Sequence, residues 1–314
     1  MTLVRILRDY SYPDLIRQTP RNAGAWSGIR FITDTPGPCD YAIVLNGVNA
    51  DCTVECPPPN VWAIMQEPPT EFKRRAHKGI PAYSRIYTQD TSLKGTRYIH
   101  SQPALPWHID ESYDKLVSTG VPEKRADLSW VTSNLANLRG HRARMEFLGK
   151  IKSKIKFDLF GRGFQVIQNK WDALAPYRYS LAVENFRNQY YWSEKISDCF
   201  LAWSMPIYCG CTRIKNYFPV ESMICFDIED PFAVDKIRES IANDLWRRNL
   251  DAIEYARNLV LNRHQLFPFL AEEIHCHQDS KGDYQHSPDK VVLKRYFYKS
   301  LKDRVLDKVK HLPP

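Results

Sequence analysis

Residues 177–203 read YRYSLAVENFRNQYYWSEKISDCFLAW. Tyr179-Ser180-Leu181-Ala182-Val183 is an apolar run of strand length that stops at Glu184-Asn185. A polar, aromatic loop follows, and Ser193 stands where a helix would begin, with Glu194 and Lys195 in its first turn. In open parallel sheets, ligands bind beyond the carboxyl ends of the strands. By that rule Glu184 and Asn185 border a crevice, and a Ser193-capped helix turns its free N–H groups and positive dipole end toward it. Such a helix end suits a phosphate. Lys195 adds a point charge for phosphate oxygens. Glu194 offers an acceptor for ribose hydroxyls, and Tyr191 a ring face and a hydroxyl. Ser-Glu at a helix start is also ordinary capping chemistry, and Tyr190-Tyr191-Trp192 also suits a core. Spacing alone leaves both readings open.

Outward from this stretch the pattern is α/β. Leu128–Val131 and Lys156–Phe160 read as strands, and Arg139–Lys152 as a helix with Met145, Leu148 and Ile151 on one face. Downstream come a helix over Ser193–Trp203, strands at Pro206–Tyr208 and Met223–Phe226, and helices near 231–243 and 244–261. Strands alternating with helices predict a parallel sheet covered on both faces. The first half offers shorter strands at 28–32, 41–45, 61–65 and 85–87, each punctuated by Pro, Gly, Asn or Asp. Residues 101–126, with Pro103, Pro106 and Pro122, read as a connector. The expected organisation is therefore a lobe at 1–126, a second at 127–270 and a tail at 271–314.

The chain has 314 residues with a net charge of +8, but the excess is local. Between 290 and 310 stand eight Lys or Arg against two Asp, so the charge belongs to the tail rather than to a nucleic-acid surface. Tyr298, Leu301, Val305, Val309 and Leu312 recur at three- and four-residue spacings among those cations. That is the pattern of a basic amphipathic helix, suited to an anionic membrane surface or to packing back on the first lobe. The eight cysteines match neither a zinc ribbon nor a disulfide framework, which points to reduced thiols in a cytoplasmic protein. No window is apolar enough for a membrane span, and the N-terminus does not read as a signal peptide, so the expectation is a soluble chain.

The stretch from Tyr177 to Asp227 resembles the donor-binding signature of the α1,3/4-fucosyltransferases, glycosyltransferase family ten. The residues that carry the resemblance are Glu184-Asn185, Tyr191, Ser193-Glu194-Lys195, Pro206-Ile207-Tyr208, Gly210, Tyr217-Phe218-Pro219 and Ser222-Met223-Ile224. Trp130-Val131-Thr132-Ser133-Asn134 and Phe160-Gly161-Arg162-Gly163 extend it to about residues 128–270, whereas the first lobe matches loosely. Ser193 replaces a usual Thr and Trp203 a usual small residue. The resemblance implies an α/β GT-B fold, two Rossmann-like lobes facing a cleft, with GDP-fucose as donor and inversion at the anomeric carbon. It implies further that Glu194 holds the ribose, that Asn185 and Tyr191 line the donor pocket, and that Lys195 neutralises the diphosphate. A second phosphate ligand is expected early in the helix after Ser133-Asn134. There Arg144 fits the family's apolar offsets at Phe147 and Ile151, with Arg142 in reserve and Arg139 as a third candidate.

Inverting transfer also needs a base on the acceptor hydroxyl. The family has a Glu near a Pro after an aromatic strand, which implies Glu67 in Met65-Gln66-Glu67-Pro68-Pro69, with Glu71 in reserve. No cofactor or metal is expected to be required, a divalent ion being at most stimulatory. Asp227-Ile228-Glu229-Asp230 reads as a strand end and helix cap rather than a metal cluster. The expected partners are GDP-fucose, a glycan or lipid-linked glycan acceptor, and an anionic membrane through 290–312, with no nucleic acid. The rival readings are a transferase using another nucleotide sugar and a non-catalytic protein that binds glycans or membrane surfaces.

Overall fold

The structure, a computed structural model, describes residues 1–33, 35–70, 73–281 and 288–295. The first lobe contains, in chain order, β1 (Thr2–Arg8), β2 (Ala25–Trp26), β3 (Ile29–Thr33), β4 (Tyr41–Leu45), β5 (Cys52–Cys56), β6 (Val61–Ile64), β7 (Arg85–Thr88) and β8 (Tyr98–His100). Seven of them form a sheet ordered β2-β3-β1-β4-β6-β7-β8, parallel except where β2 meets β3. All five residues of β4 are buried, as befits a strand covered on both faces. Its alternate side chains serve two cores. Tyr41, Ile43 and Leu45 pack with Val4, Ile6 and Trp62 on one face, and Ala42 and Val44 pack with Val61 and Ala63 on the other.

The second lobe has five parallel strands: β9 (Ala126–Val131), β10 (Asp158–Phe160), β11 (Tyr177–Val183), β12 (Met205–Cys209) and β13 (Ile224–Cys225), in the order β10-β9-β11-β12-β13. Before them runs α1 (Tyr113–Ser118), and between and after them α2 (Arg139–Ile151), α3 (Lys170–Leu174), α4 (Glu194–Leu201), α5 (Ala233–Ala242), α6 (Leu245–Arg248) and α7 (Leu250–Leu259). The apolar run of β11 occupies the middle of this sheet, so its end, Glu184, opens at the centre of the lobe. The stretch read as a connector is partly core: Trp107, Ile109 and Leu116 are fully buried in the second lobe's cluster.

The chain's end returns to the first lobe. The last helix, α8 (Leu266–Lys281), lays Leu266, Phe267, Leu270, Ala271 and Ile274 on one face of the sheet. Strand β14 (Asp289–Leu293) pairs antiparallel with β5, and Leu293 joins the core of the opposite face. The expected boundary at 270/271 thus falls inside α8, and Lys290, the first cation of the basic run at 290–310, lies in a strand that the β-branched pair Val291-Val292 favours. Tyr298, Leu301, Val305, Val309 and Leu312 lie outside the described residues, as does Glu71. No helix among the described residues is long and apolar enough to cross a membrane.

Candidate active site

Ser193 caps α4 as its sequence predicts, with extended backbone and its hydroxyl accepting from the Lys195 amide. The cap is itself held by Glu184, whose carboxylate accepts from the Ser193 amide and hydroxyl at 2.8 Å each. The Glu184 side chain is fully buried, and the Lys195 ammonium lies 3.2 Å from it. Gly210, just past β12, makes the space: a Cβ there would stand 2.5 Å from the Glu184 Cγ. Gly140, in the first turn of α2, lets that helix press on the same strand end, since its Cβ would meet the Asn185 carbonyl oxygen at 1.8 Å.

From this anchor the charges extend toward the first lobe. Glu194 Oε1 lies 3.5 Å from Lys195 Nζ, 3.4 Å from Lys170 Nζ and 4.0 Å from His108 Nδ1. Lys170 is also paired at 2.7 Å with the buried Asp198, which accepts from the His108 backbone amide. Burial by itself would raise the Glu194 carboxyl, but Lys195, Lys170 and His108 more than offset it and hold the group well below the ordinary range. Burial would likewise lower the Lys195 ammonium, and Glu184 and Glu194 outweigh it and raise it. Burial first, then Glu184, Glu194 and Glu67, push the Tyr191 phenol well up, so it stays a hydroxyl.

The helix phase separates the two arginines. Arg144 lies on the face of α2 that buries Phe147 and Ile151 and is itself buried. Its guanidinium makes no hydrogen bond or ion pair with a described residue, and Nε is sealed from solvent without a partner. Burial lowers its pKa, while the charges of Glu184 and Glu194 push it back up. Arg142 is exposed and turns to the carbonyls of Ala136 and Asn137, so as a reserve for the cleft it is set aside. Asn185 donates toward His141 Nε2 at 3.3 Å, and its buried Oδ1 has no partner. A cavity of about 510 Å³ opens beside Asn185, Phe186 and Gly210, with Arg139 at its margin. Asp227 pairs with Arg187 and accepts from the Glu229 amide, so the acidic run there is turn and ion-pair structure.

Across the cleft stands Glu67. Its side chain is 52% exposed, with Lys73 Nζ 3.6 Å away. Its backbone is gripped on both sides: the Asn46 carboxamide oxygen accepts from the Gln66 and Glu67 amides at 2.8 and 3.1 Å, and His77 Nε2 lies 2.9 Å from the Glu67 carbonyl. A cavity of about 270 Å³ between the lobes has Glu67 on one wall and Tyr191 and Glu194 on the other. Glu67, Tyr191 and Glu194 thus line one cavity, Lys195 pairs with Glu194 at its edge, Asn185 lines the other cavity, and Arg144 lines neither. Lys170 and His108 escaped sequence reading because they lie 24 and 86 residues from Glu194 along the chain.

Two lobes, each with a parallel sheet whose strand ends face a common cleft, define a GT-B glycosyltransferase fold. Solved structures agree. An α1,3-fucosyltransferase with GDP-fucose superposes over 92% of this chain and 93% of its own, with a TM-score of 0.50 and 16% identity. An α-glucosyltransferase in complex with UDP and a DNA 13-mer superposes over 88% and 100%, with a TM-score of 0.53 and 10% identity. Residues 121–241 match the family model described as glycosyltransferase family 10 (fucosyltransferase) C-term. Among curated proteins, 4-galactosyl-N-acetylglucosaminide 3-alpha-L-fucosyltransferase 9 of Cricetulus griseus is 28% identical over 109 residues, and the Homo sapiens protein of that name gives the same figures. The match covers 33% of this chain and 30% of either relative, so this chain spans less than a third of their length.

Proposed function

We propose that this protein is an inverting fucosyltransferase that moves fucose from GDP-fucose to a glycan hydroxyl. The observation that carries the reading is Arg144: a buried guanidinium with no hydrogen-bond or ion-pair partner among the described residues, beside a capped helix start that already holds Lys195. A buried unpaired charge is costly, and an anionic ligand offsets that cost. The family 10 domain and the names of the relatives narrow the anion to a nucleotide sugar carrying fucose.

In this mechanism Arg144, Lys195 and the first N–H groups of α4 bind the diphosphate, Glu194 accepts from the ribose, and Asn185 and Tyr191 line the pocket. Glu67 takes the proton of the acceptor hydroxyl as that oxygen bonds to the anomeric carbon from the face opposite GDP. The bond between that carbon and the diphosphate oxygen breaks, and its electron pair leaves with GDP. Arg144 and Lys195 face the charge that grows there, where prearranged cations act most strongly. These residues' own charges serve the leaving group, and a divalent ion enters only as a stimulant. A cytoplasmic site of action, with 290–312 touching an anionic membrane that presents a lipid-linked acceptor, completes the proposal.

Calorimetric titration with GDP-fucose, GDP-mannose and UDP-galactose tests the donor. Selective binding of GDP-fucose is expected. Equal binding of GDP-mannose reopens the sugar, and binding of none of the three removes the donor site.

A further inference from the structure

Lys195 is fully engaged before any ligand arrives. An ammonium has three N–H donors, and three acceptors surround Lys195 Nζ: Ser193 Oγ at 2.9 Å, Glu184 Oε2 at 3.2 Å and Glu194 Oε1 at 3.5 Å. To meet a phosphate, Lys195 must give up one of them. Ser193 and Glu184 hold each other in place, because the fully buried Glu184 carboxylate accepts from the Ser193 amide and hydroxyl. Glu194 is the contact that can yield, being the longest of the three and 15% exposed.

Losing Lys195 would leave the Glu194 carboxylate short of a counter-charge in a largely dry site, which is costly unless another cation stands on it. Lys170 is that cation. Its Nζ lies 3.4 Å from the same oxygen, Oε1, and 2.7 Å from Asp198 Oδ2. Asp198 lies one turn beyond Glu194 on α4, so the two carboxylates share a helix face and one ammonium bridges them. Asp198 is itself fixed: its side chain is 1% exposed, and its other oxygen accepts from the His108 amide at 3.0 Å. Lys170 opens α3, whose cap, Asn169, accepts from the Trp171 and Asp110 amides at 3.0 and 2.9 Å. The ammonium is thus anchored at both ends and stays on Glu194 when Lys195 departs. His108, 4.0 Å from the same oxygen, is no substitute, because burial lowers its pKa and leaves the ring neutral.

We propose that Lys170 is a positioning residue of the donor site, acting through Glu194 to release Lys195 to the diphosphate; this rests on the reading of Lys195 as a diphosphate ligand. Without Lys170, Glu194 and Lys195 stay paired. A double-mutant cycle on GDP affinity, read by calorimetry, tests the inference, with urea midpoints measured alongside. Lys170→Met alone would leave Asp198 buried without its cation. Every protein of the cycle therefore carries Asp198→Asn, which keeps an oxygen for the His108 amide. In that background Lys170→Met should weaken GDP binding about tenfold. Where Glu194→Gln is also present, the same change should alter the affinity by less than about twofold, since a neutral side chain no longer retains Lys195. Lys170→Gln, a milder change, should reproduce the pattern.

An equal loss with and without Glu194→Gln overturns the proposal, because Lys170 would then act on the nucleotide directly or serve only the fold. GDP affinity that is indifferent to Lys170→Met while Glu194 is in place overturns it too. Failure of the parent protein to bind GDP is a different result: it removes the donor site, and this inference with it.

Discussion

At the end of β11 the carboxylate of Glu184 is buried, holds the cap of α4 and pairs with Lys195, so side-chain charge organises that wall of the cleft. At the end of β6 the carboxylate of Glu67 stands half in solvent, and it is the backbone that is held, by Asn46 and His77. Under the proposed function, in which one wall binds the donor diphosphate and Glu67 is the base, the difference follows from what each wall must do. A wall that meets a fixed diphosphate gains from charges ordered beforehand. A base must take up and release a proton in each turnover, and a carboxylate locked into buried ion pairs would lose its basicity. Only its direction needs fixing.

The sharpest way to break the comparison is Glu67→Gln, which keeps shape and removes the proton acceptor. Turnover is expected to fall on the order of a hundred- to ten-thousandfold, with calorimetric affinity for GDP-fucose unchanged. A variant that turns over near the parent rate would move the base elsewhere.

The donor wall can be dissected with two cations. Lys195→Ala removes the cation paired with the buried Glu184 and should reduce unfolding free energy by about 3 kcal/mol, along with a loss of GDP-fucose affinity of roughly a hundredfold. Arg144→Met keeps the apolar stem but removes a guanidinium that no described residue satisfies. Affinity should fall comparably, while the denaturant midpoint stays level or rises. Equal destabilisation by both substitutions would show that Arg144 is held by the protein after all.

These contrasts also explain what could be read from residues alone. The donor wall was legible because Glu184, Asn185, Tyr191, Glu194 and Lys195 lie within twelve consecutive positions, and strand length, cap and helix phase constrain one another there. Arg144 was singled out by the family's apolar offsets at Phe147 and Ile151, and the phase of α2 puts it on the buried face while Arg142 is exposed. The second lobe's sheet was legible through β11 and β12, whose residues are almost all buried, whereas β10 and β13 are only three and two residues long. In the first lobe β1 escaped notice, because TLVRILR carries an arginine between its inward Val4 and Ile6 and another at its end. The cavity between the lobes is lined by Asp9, Asn46, Glu67 and His108, which are far apart in sequence. At the chain's end the strand at Val291-Val292, paired with β5, was not read, while the helical pattern from Tyr298 onward lies outside the described residues.

Acid should reach the two walls unequally. Burial holds His77, beneath the Glu67 loop, and His264, under Tyr217, down to about 4. For a base with a lowered folded pKa the stabilisation is fully present above the ordinary value of 6.5 and is lost as pH falls through about 4. Together they should remove several kcal/mol, at most about 3 kcal/mol each, from unfolding free energies measured by urea titration between pH 7 and pH 4. Glu194, held low by its lysines, should contribute little across that range. His77→Gln should flatten part of the slope. A slope unaltered by that change would locate the acid sensitivity elsewhere.

The gentlest test addresses the backbone grip itself. Asn46 has φ of 59°, a left-handed conformation that glycine and aspartate also accept. Asn46→Gly therefore removes the carboxamide without straining the turn, and Asn46→Asp keeps an oxygen for the Gln66 and Glu67 amides. If those two hydrogen bonds aim the base, the glycine variant should lose roughly tenfold in kcat with donor affinity intact. The aspartate variant should keep most of the rate, but its added charge beside Glu67 should move the acid limb of the kcat–pH profile upward. A purely structural role would instead lower the thermal midpoint of the glycine variant and leave its kcat, measured well below that midpoint, at the parent value. In that event Lys73 and the paired prolines, rather than Asn46, would be what directs Glu67 across the cleft.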